Sequence, residues 1–361
     1  MEQVANKTKN VVVIGGGVAG SLLAKSIQFH SNLVLIDPKE YYDIPWTDNR
    51  SRVEPTFAEK ALIKHSEYLS NGTIINSRAI DITATEVFTD EGLVVPYDFL
   101  VLATGHDVPL PRTKTDRLQQ FKQDYEKIKC AKSILIIGGG RTGVELAGEI
   151  VTDFPDKKVT LVHKGPRLLE FLGVKASTKA MKWLKSKKFE VLLEQTVDID
   201  LDDSVGEFKT SAGKTISADC HFVATGKAVG SGWLRKTILK DMLDEHGRLK
   251  VDDKLRVIGH DKIFAIGDIT NVKEMKLGYI AQEHATVVAK NINLLMKKGS
   301  EKESKGLSSY KPGSAITVVS LGRKNAVGQL PFMTVSGCLP TMFKSKDLFL
   351  GWTRKVMGLH P

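Results

Sequence analysis

Cysteine is scarce. The 361 residues hold three, Cys130, Cys220 and Cys338, far apart and never as Cys-x-x-Cys. That excludes a disulfide framework, a structural zinc site and an iron–sulfur centre, and it points to a reducing compartment. Long apolar runs are also missing: no stretch approaches the ~20 residues that a membrane-spanning helix needs. Met1–Asn10 is polar, without the apolar core of a secretory signal or the Arg/Ser-rich pattern of a mitochondrial presequence. Glu2 stands where N-myristoylation needs glycine. The expected location is therefore cytoplasmic, with any membrane association peripheral. Acidic residues are in deficit, 42 Asp and Glu against 52 Lys and Arg, for a net charge of +10. Such a balance favours anionic partners (a phosphate-bearing cofactor, nucleic acid or an acidic membrane surface) or is simply a solvated basic exterior. At 42% apolar and 26% charged residues, the composition is otherwise that of an ordinary globular protein with room for two or three domains.

What the chain does have is glycine in a set pattern. In Asn10–His30, a β-branched run from Val11 to Ile14 ends at Gly15-Gly16-Gly17-Val18-Ala19-Gly20. A helical pattern follows, with Val18, Leu22, Leu23 and Ile27 on one face. This is the strand–turn–helix setting of a dinucleotide fingerprint. Gly15 makes the tight turn, Gly17 lets a pyrophosphate approach the backbone, and Gly20 lets the helix pack close to the strand. The helix start offers free N–H groups to phosphate. Asp37 closes the next strand, Leu33–Ile36, where a carboxylate accepts hydrogen bonds from a ribose.

The pattern recurs. Ser133–Ile150 carries Gly138, Gly140, Thr142 and Gly143 at the same spacing. Each copy leads, after nearly equal spans, to a strand ending in Ala-Thr-Gly: Thr104-Gly105 in the first, Thr225-Gly226 in the second. Hairpin patterns turning at Asp90–Gly92 and Ser211–Gly213 precede these strands. A further strand, Lys262–Asp268, ends in Gly267-Asp268, and a helix is expected from about Tyr279 to Met296. Met296–Ser309 reads as a surface linker, and Ala315–Leu321 with Ala326–Leu330 as a hairpin. The expected fold is α/β, with two Rossmann-like dinucleotide-binding domains and a small C-terminal α+β segment. Residues 1–112 plus 228–300 form the discontinuous first domain, 113–227 the second and 301–361 the C-terminal segment.

With both fingerprints, Arg50–Phe57, the two Ala-Thr-Gly strands, Phe264–Thr270, Gly278–Ala285 and Lys344–Leu350 in view, the chain resembles the two-dinucleotide-domain flavoprotein reductases. Within them it is most similar to the apoptosis-inducing-factor-like, ferroptosis-suppressor-type NAD(P)H:quinone oxidoreductases, with type II NADH dehydrogenases next. The resemblance implies FAD in the first unit and NADPH or NADH in the second. Asp268 would bind the flavin ribityl chain and Arg50 would lie near the FAD phosphates. Glu145, on the first turn of the second fingerprint helix, would orient the nicotinamide. Ala281-Gln282 resembles the motif that lines the flavin–quinone contact in type II NADH dehydrogenases. A helix start aimed at the flavin would stabilise negative charge there, and Lys276 would add a positive one. His284 is expected on the helix surface.

The second unit departs from the first at His163, which stands where Asp37 stands. Without an acid, and with Lys164 and Arg167 nearby, NADPH is expected to be accepted and even preferred. The redox Cys pair of disulfide reductases is absent from Glu40–Arg52, so electrons go directly to an acceptor, by resemblance a quinone. In the tail, Phe332, Met333, Leu339, Met342, Phe343, Leu348, Phe349, Leu350 and Trp352 alternate with Lys344, Lys346, Arg354 and Lys355. That mixture suits either packing, on the first domain or on a second subunit in a homodimer, or weak docking on an anionic bilayer. Rival readings are a reductase for another acceptor, such as monodehydroascorbate or an iron–sulfur protein, and an apoptosis-inducing-factor-like redox protein binding nucleic acid through its basic surface. No nucleic-acid motif is present, so nucleic acid ranks behind as a partner.

Overall fold

The computed structural model of the chain describes residues 8–198, 206–297, 306–337, 341 and 347–361. Its first sheet has five parallel strands, in the spatial order Ile263–Ala265, Phe99–Leu102, Asn10–Ile14, Asn32–Ile36, Thr73–Ile75. Parallel strands covered on both faces need apolar side chains at every position, and Val11, Val12 and Val13 are fully buried. On one face the fingerprint helix Val18–Ile27 packs against the long helix Gly278–Lys297. The second sheet repeats the plan in four parallel strands, Glu190–Leu192, Lys158–Val162, Ser133–Ile137 and Cys220–Val223.

Both predicted hairpins form, Glu86–Thr89 with Val94–Pro96 and Gly206–Lys209 with Thr215–Ala218. Gly92 and Gly213 turn them at φ +80° and +82°, where only glycine is unstrained. The chain leaves the first sheet and returns through a clasp between the first Ala-Thr-Gly segment and residues 228–230. His106 bridges Val229, the Thr104 hydroxyl donates to the Gly230 carbonyl at 2.7 Å, and the Gly230 amide donates to Gly105 at 2.8 Å.

The tail divides between the two cores. Thr317–Leu321, Asn325–Gln329 and Thr334–Gly337 make an antiparallel sheet, one strand more than the expected hairpin. Val319, Leu321 and Val327 of this sheet belong to the second core. Farther on, Leu350 and Met357 are buried in the first core, flanking the helix Leu350–Val356. Leu348 is buried as well, whereas Phe332, Met333, Phe349 and Trp352 are exposed. Leu339, Met342, Phe343, Lys344 and Lys346 lie outside the described residues, as does the linker between 298 and 305. The far end of that linker is held firmly: Asn291 exchanges two hydrogen bonds with Ser308, at 2.7 and 2.9 Å. Among the described residues no helix is long and apolar enough to cross a membrane.

Candidate functional site

The fingerprint glycines sort into packed and open ones, identically in both units. A Cβ on Gly15 would sit 2.6 Å from the Ala103 carbonyl oxygen, and on Gly138 2.5 Å from that of Ala224. A Cβ on Gly20 would meet Gly15 O at 1.8 Å, and on Gly143 would meet Gly138 O at 1.9 Å. These glycines, with the alanines of the Ala-Thr-Gly strands, close the turn. Gly17 and Gly140 instead have nothing within 4 Å of a built Cβ. The open ones stand at the two helix starts, where a pyrophosphate needs room and bare N–H groups. Both cradles fit a dinucleotide.

The strand-end residues hold the loops. Asp37 Oδ2 accepts the Gly16 amide, and Oδ1 accepts the Lys39 amide and ammonium at 2.7 and 2.9 Å. Burial works against its charge, yet Lys39 and His65 hold the Asp37 carboxyl below the ordinary range. In the second unit His163 Nδ1 accepts the Gly139 amide at 3.1 Å, so it takes over the loop-holding part of Asp37's role. Arg167 does not remain available for a phosphate as expected. Its guanidinium donates to the carbonyls of Glu170 and Leu172, at 2.6 and 2.8 Å, because the following turn leaves those oxygens unpaired.

His65, not anticipated from the sequence, lies beneath the first loop. Its Nδ1 is 2.7 Å from the Tyr68 hydroxyl, which donates to Ser21 Oγ, which in turn donates to the Gly16 carbonyl. Burial pulls the His65 imidazole down to about 4.

Gly267, at φ +73°, starts the turn carrying Asp268 and packs against Ala281 and Ala19. The fold thereby brings the first fingerprint, the Gly267-Asp268 turn and the start of the long helix into contact. Asp268 is half-exposed, with Oδ2 3.3 Å from His106 Nδ1. His284 is not on the surface: it is fully buried, and its Nδ1 accepts the Gly267 amide at 3.0 Å. Its Nε2 lies 2.8 Å from Glu274 Oε1, off the hydrogen-bond axis, while Glu274 Oε2 accepts from the Tyr310 hydroxyl at 2.6 Å. Burial pulls the His284 imidazole down to about 4 and pushes the Glu274 carboxyl up. Lys276 braces the same loop, its ammonium donating to the Thr270 and Val272 carbonyls at 2.9 and 3.0 Å. Its charge is thus spent on backbone, and burial pulls its pKa below the ordinary lysine range.

Two more expectations change. Arg50 is neither solvated nor offered to a phosphate: it is buried, with Nε and Nη2 on the Glu149 carboxylate at 2.5 and 3.0 Å. The pair joins the first unit to the second fingerprint helix, Arg141–Asp153. Since that helix starts at Arg141, Glu145 falls in its second turn rather than its first, buried and accepting the Ser320 amide at 3.1 Å. Thr142 is exposed and lines a cavity of about 210 Å³ with Asn49, Phe222 and Val223. Thr225 and Gly226 border it in sequence and are exposed.

Along the long helix runs a groove of about 650 Å³, lined by Leu22, Tyr279, Gln282, Val287, Tyr310 and Trp352 among others. Three sources meet there: the first fingerprint helix, the turn after Gly278, and the tail. Trp46 covers the start of that helix, since a Cβ on Gly278 would strike its ring at 2.5 Å. No spacing rule pointed to Trp46, Glu274 or Tyr310, because their partners are distant in sequence.

The family profile described as pyridine nucleotide-disulphide oxidoreductase matches residues 9–285. Ferroptosis suppressor protein 1 of Homo sapiens is 28% identical over 98% of this chain and 96% of its own length. Apoptosis-inducing factor homolog B of Dictyostelium discoideum is 30% identical over 96% of each chain. Among solved structures, the sulfide:quinone oxidoreductase of Aquifex aeolicus superposes with a TM-score of 0.74 at 18% identity, covering 97% of this chain and 92% of that one. NDH2 from Plasmodium falciparum, in complex with NADH, gives 0.72 at 15% identity, covering 95% and 97%. At such identities the structural likeness speaks for the fold.

Proposed function

The chain belongs to the pyridine nucleotide-disulphide oxidoreductase family, as an FAD- and NAD(P)H-dependent oxidoreductase, and from that premise we propose that its electron acceptor is a quinone. FAD, held by the first cradle and the Gly267-Asp268 turn, would supply the two-electron redox chemistry between NAD(P)H and the acceptor. The protein's part is to bind, orient and polarise. Asp37 reads the ribose of the first dinucleotide, and Asp268 holds the ribityl chain from a turn fixed by His284. Glu145 positions the nicotinamide, itself held by the Ser320 amide. With no Cys-x-x-Cys in the chain, no protein dithiol lies between the cofactor and the acceptor.

One observation carries the quinone reading. The largely apolar groove starts at the helix turn Tyr279–Gln282, within which Ala281 packs on Gly267. A flat, apolar acceptor with polar edges fits such a groove, with the Gln282 amide and the Tyr279 hydroxyl as hydrogen-bond donors. Phe349 and Trp352, 39% and 51% exposed beside Arg354 and Lys355, favour peripheral contact with an anionic bilayer, where lipid-soluble quinones reside.

The test is stopped-flow: anaerobic reduction with NADH or NADPH, then mixing with a short-chain quinone. Rapid two-electron reoxidation is expected, slowed about tenfold or more by Trp352→Ala or Gln282→Ala without change in the reductive half. Glu145→Ala should slow only the reduction. Fast reduction followed by slow reoxidation in the unaltered protein would assign the acceptor to another class.

A further inference from the structure

NADH and NADPH differ only at the adenosine 2′ position, a hydroxyl in one and a phosphate in the other. The residue closing the second strand of a dinucleotide unit ordinarily reads that position, an acid favouring the hydroxyl. Here that residue is His163, and its surroundings carry more than the sequence revealed. Because His163 Nδ1 accepts the Gly139 amide, the neutral ring carries its proton on Nε2. That Nε2 is buried without a hydrogen-bond partner, and it faces Glu170 Oε2 at 3.7 Å.

The Glu170 carboxylate is folded back to this place by its own loop. Leu169 adopts φ +52° and donates its amide to the Gly139 carbonyl at 2.9 Å. Arg167 grips the carbonyls of Glu170 and Leu172. The carboxylate lies against Gly165, where a Cβ would come within 2.5 Å of Oε1. An acid absent from the strand end is thus returned to it seven residues later.

We propose that Glu170, acting with His163, is the specificity-determining acid of the second unit and makes NADH the preferred electron donor. A separation of 3.7 Å is too long for a direct hydrogen bond. The buried ring edge keeps the carboxylate at the strand end, where the exposed Glu170 oxygens can accept the proton of a ribose 2′-hydroxyl. A 2′-phosphate has acceptor oxygens only and carries close to two negative charges, so it meets Glu170 with repulsion. Lys164 is the counterweight; both side chains are exposed and screened, but Glu170 is the one seated against the strand-end ring. The proposal rests on NAD(P)H binding and not on the identity of the acceptor.

The experiment is calorimetric titration of the flavin-loaded protein with NAD⁺ and with NADP⁺, for wild type, Glu170→Gln and Lys164→Ala, with flavin absorbance as a check on integrity. Wild type should bind NAD⁺ at least tenfold more tightly than NADP⁺. Glu170→Gln should shrink that ratio about tenfold, mainly by tightening NADP⁺, and Lys164→Ala should widen it. Should Glu170→Gln fail to fold, the wild-type ratio decides alone. Equal binding of the two by wild type, tighter NADP⁺ binding, or a ratio unmoved by Glu170→Gln would overturn the proposal. Binding of neither dinucleotide would overturn it together with the assignment of the second unit, whereas slow turnover with quinone would leave it standing.

Discussion

His284 receives the amide of Gly267 on Nδ1 at 3.0 Å, so a histidine inside the long helix sets the turn that presents Asp268. Removing the ring leaves that amide unpaired in a buried place, a cost of about 1–3 kcal/mol, and opens a cavity besides. His284→Ala is therefore expected to lower stability by about 2–4 kcal/mol and to release flavin at a lower temperature than wild type. His284→Asn, whose amide oxygen can accept the same hydrogen bond, should recover part of both. Differential scanning fluorimetry, read on tryptophan and on flavin, checks the pair. Unchanged flavin retention in His284→Ala would separate the turn from the cofactor.

Acid should weaken the fold through both buried histidines. The imidazoles of His65 and His284 are pulled by burial from 6.5 to about 4. The unfolded chain then binds protons that the folded one refuses, so stability is full above about pH 6.5 and falls as the pH drops towards 4. Each such histidine represents on the order of 3 kcal/mol. His65 faces Asp37, Lys39 and Glu40, and His284 faces Lys276, Asp268 and Glu274. Asp37, lowered, acts in the same direction at more acid pH, while Glu274, raised, opposes it. Thermal midpoints measured between pH 7.5 and 4.5 should decline, and His65→Asn should flatten the decline. A level profile would contradict the burial account.

The open glycines predict a separation of cofactors. Gly140 has an ordinary φ of −76° and space around it, so Gly140→Val should fold and keep its flavin while losing NAD(P)H. Gly17→Val should do the reverse, folding with little flavin. Gly20→Ala, by contrast, forces a Cβ to 1.8 Å from Gly15 O and should not yield folded protein. Bound-flavin stoichiometry and NAD⁺ titration distinguish the three.

Arg50 and Glu149 test the junction between the units. Breaking a buried ion pair from one side leaves an uncompensated charge, at about 3–5 kcal/mol. Arg50→Met alone should cost less than that full penalty, because Arg323 Nε stays 3.9 Å from Glu149 Oε2, and Arg50→Met with Glu149→Met together less again, in a double-mutant cycle by chemical denaturation. Additive losses would mean that the two side chains act independently.

The legible part of the fold was local. Glycine spacing, apolar strands and the Ala-Thr-Gly segments specify backbone that must pass within van der Waals contact of other backbone, and such constraints write themselves into short motifs. Asp37 was readable for the same reason, since it closes a strand beside its own loop. Arg50 was misread because its partner, Glu149, stands on another unit's helix, and charge alone does not say whether a residue is solvated. His284 was misplaced because the helix it sits on is covered on more than one side, by the fingerprint helix and by Tyr310. Glu170 escaped notice because the turn returning it to His163 depends on a positive φ at a leucine, which composition gives no reason to expect.

The tail has a consequence for how the molecule is made. Val11 and Phe264 share a core with Leu350 and Met357, and the second core contains Val319 and Val327. Each core is completed only by residues of the tail, which ties its final closure to contacts distant in sequence. Long-range closure of this kind is slow, and it leaves apolar surface uncovered in the meantime. Part of each core therefore stays uncovered until the tail is in place, and truncation before Leu350 is expected to lower the stability of the first core, as read by chemical denaturation.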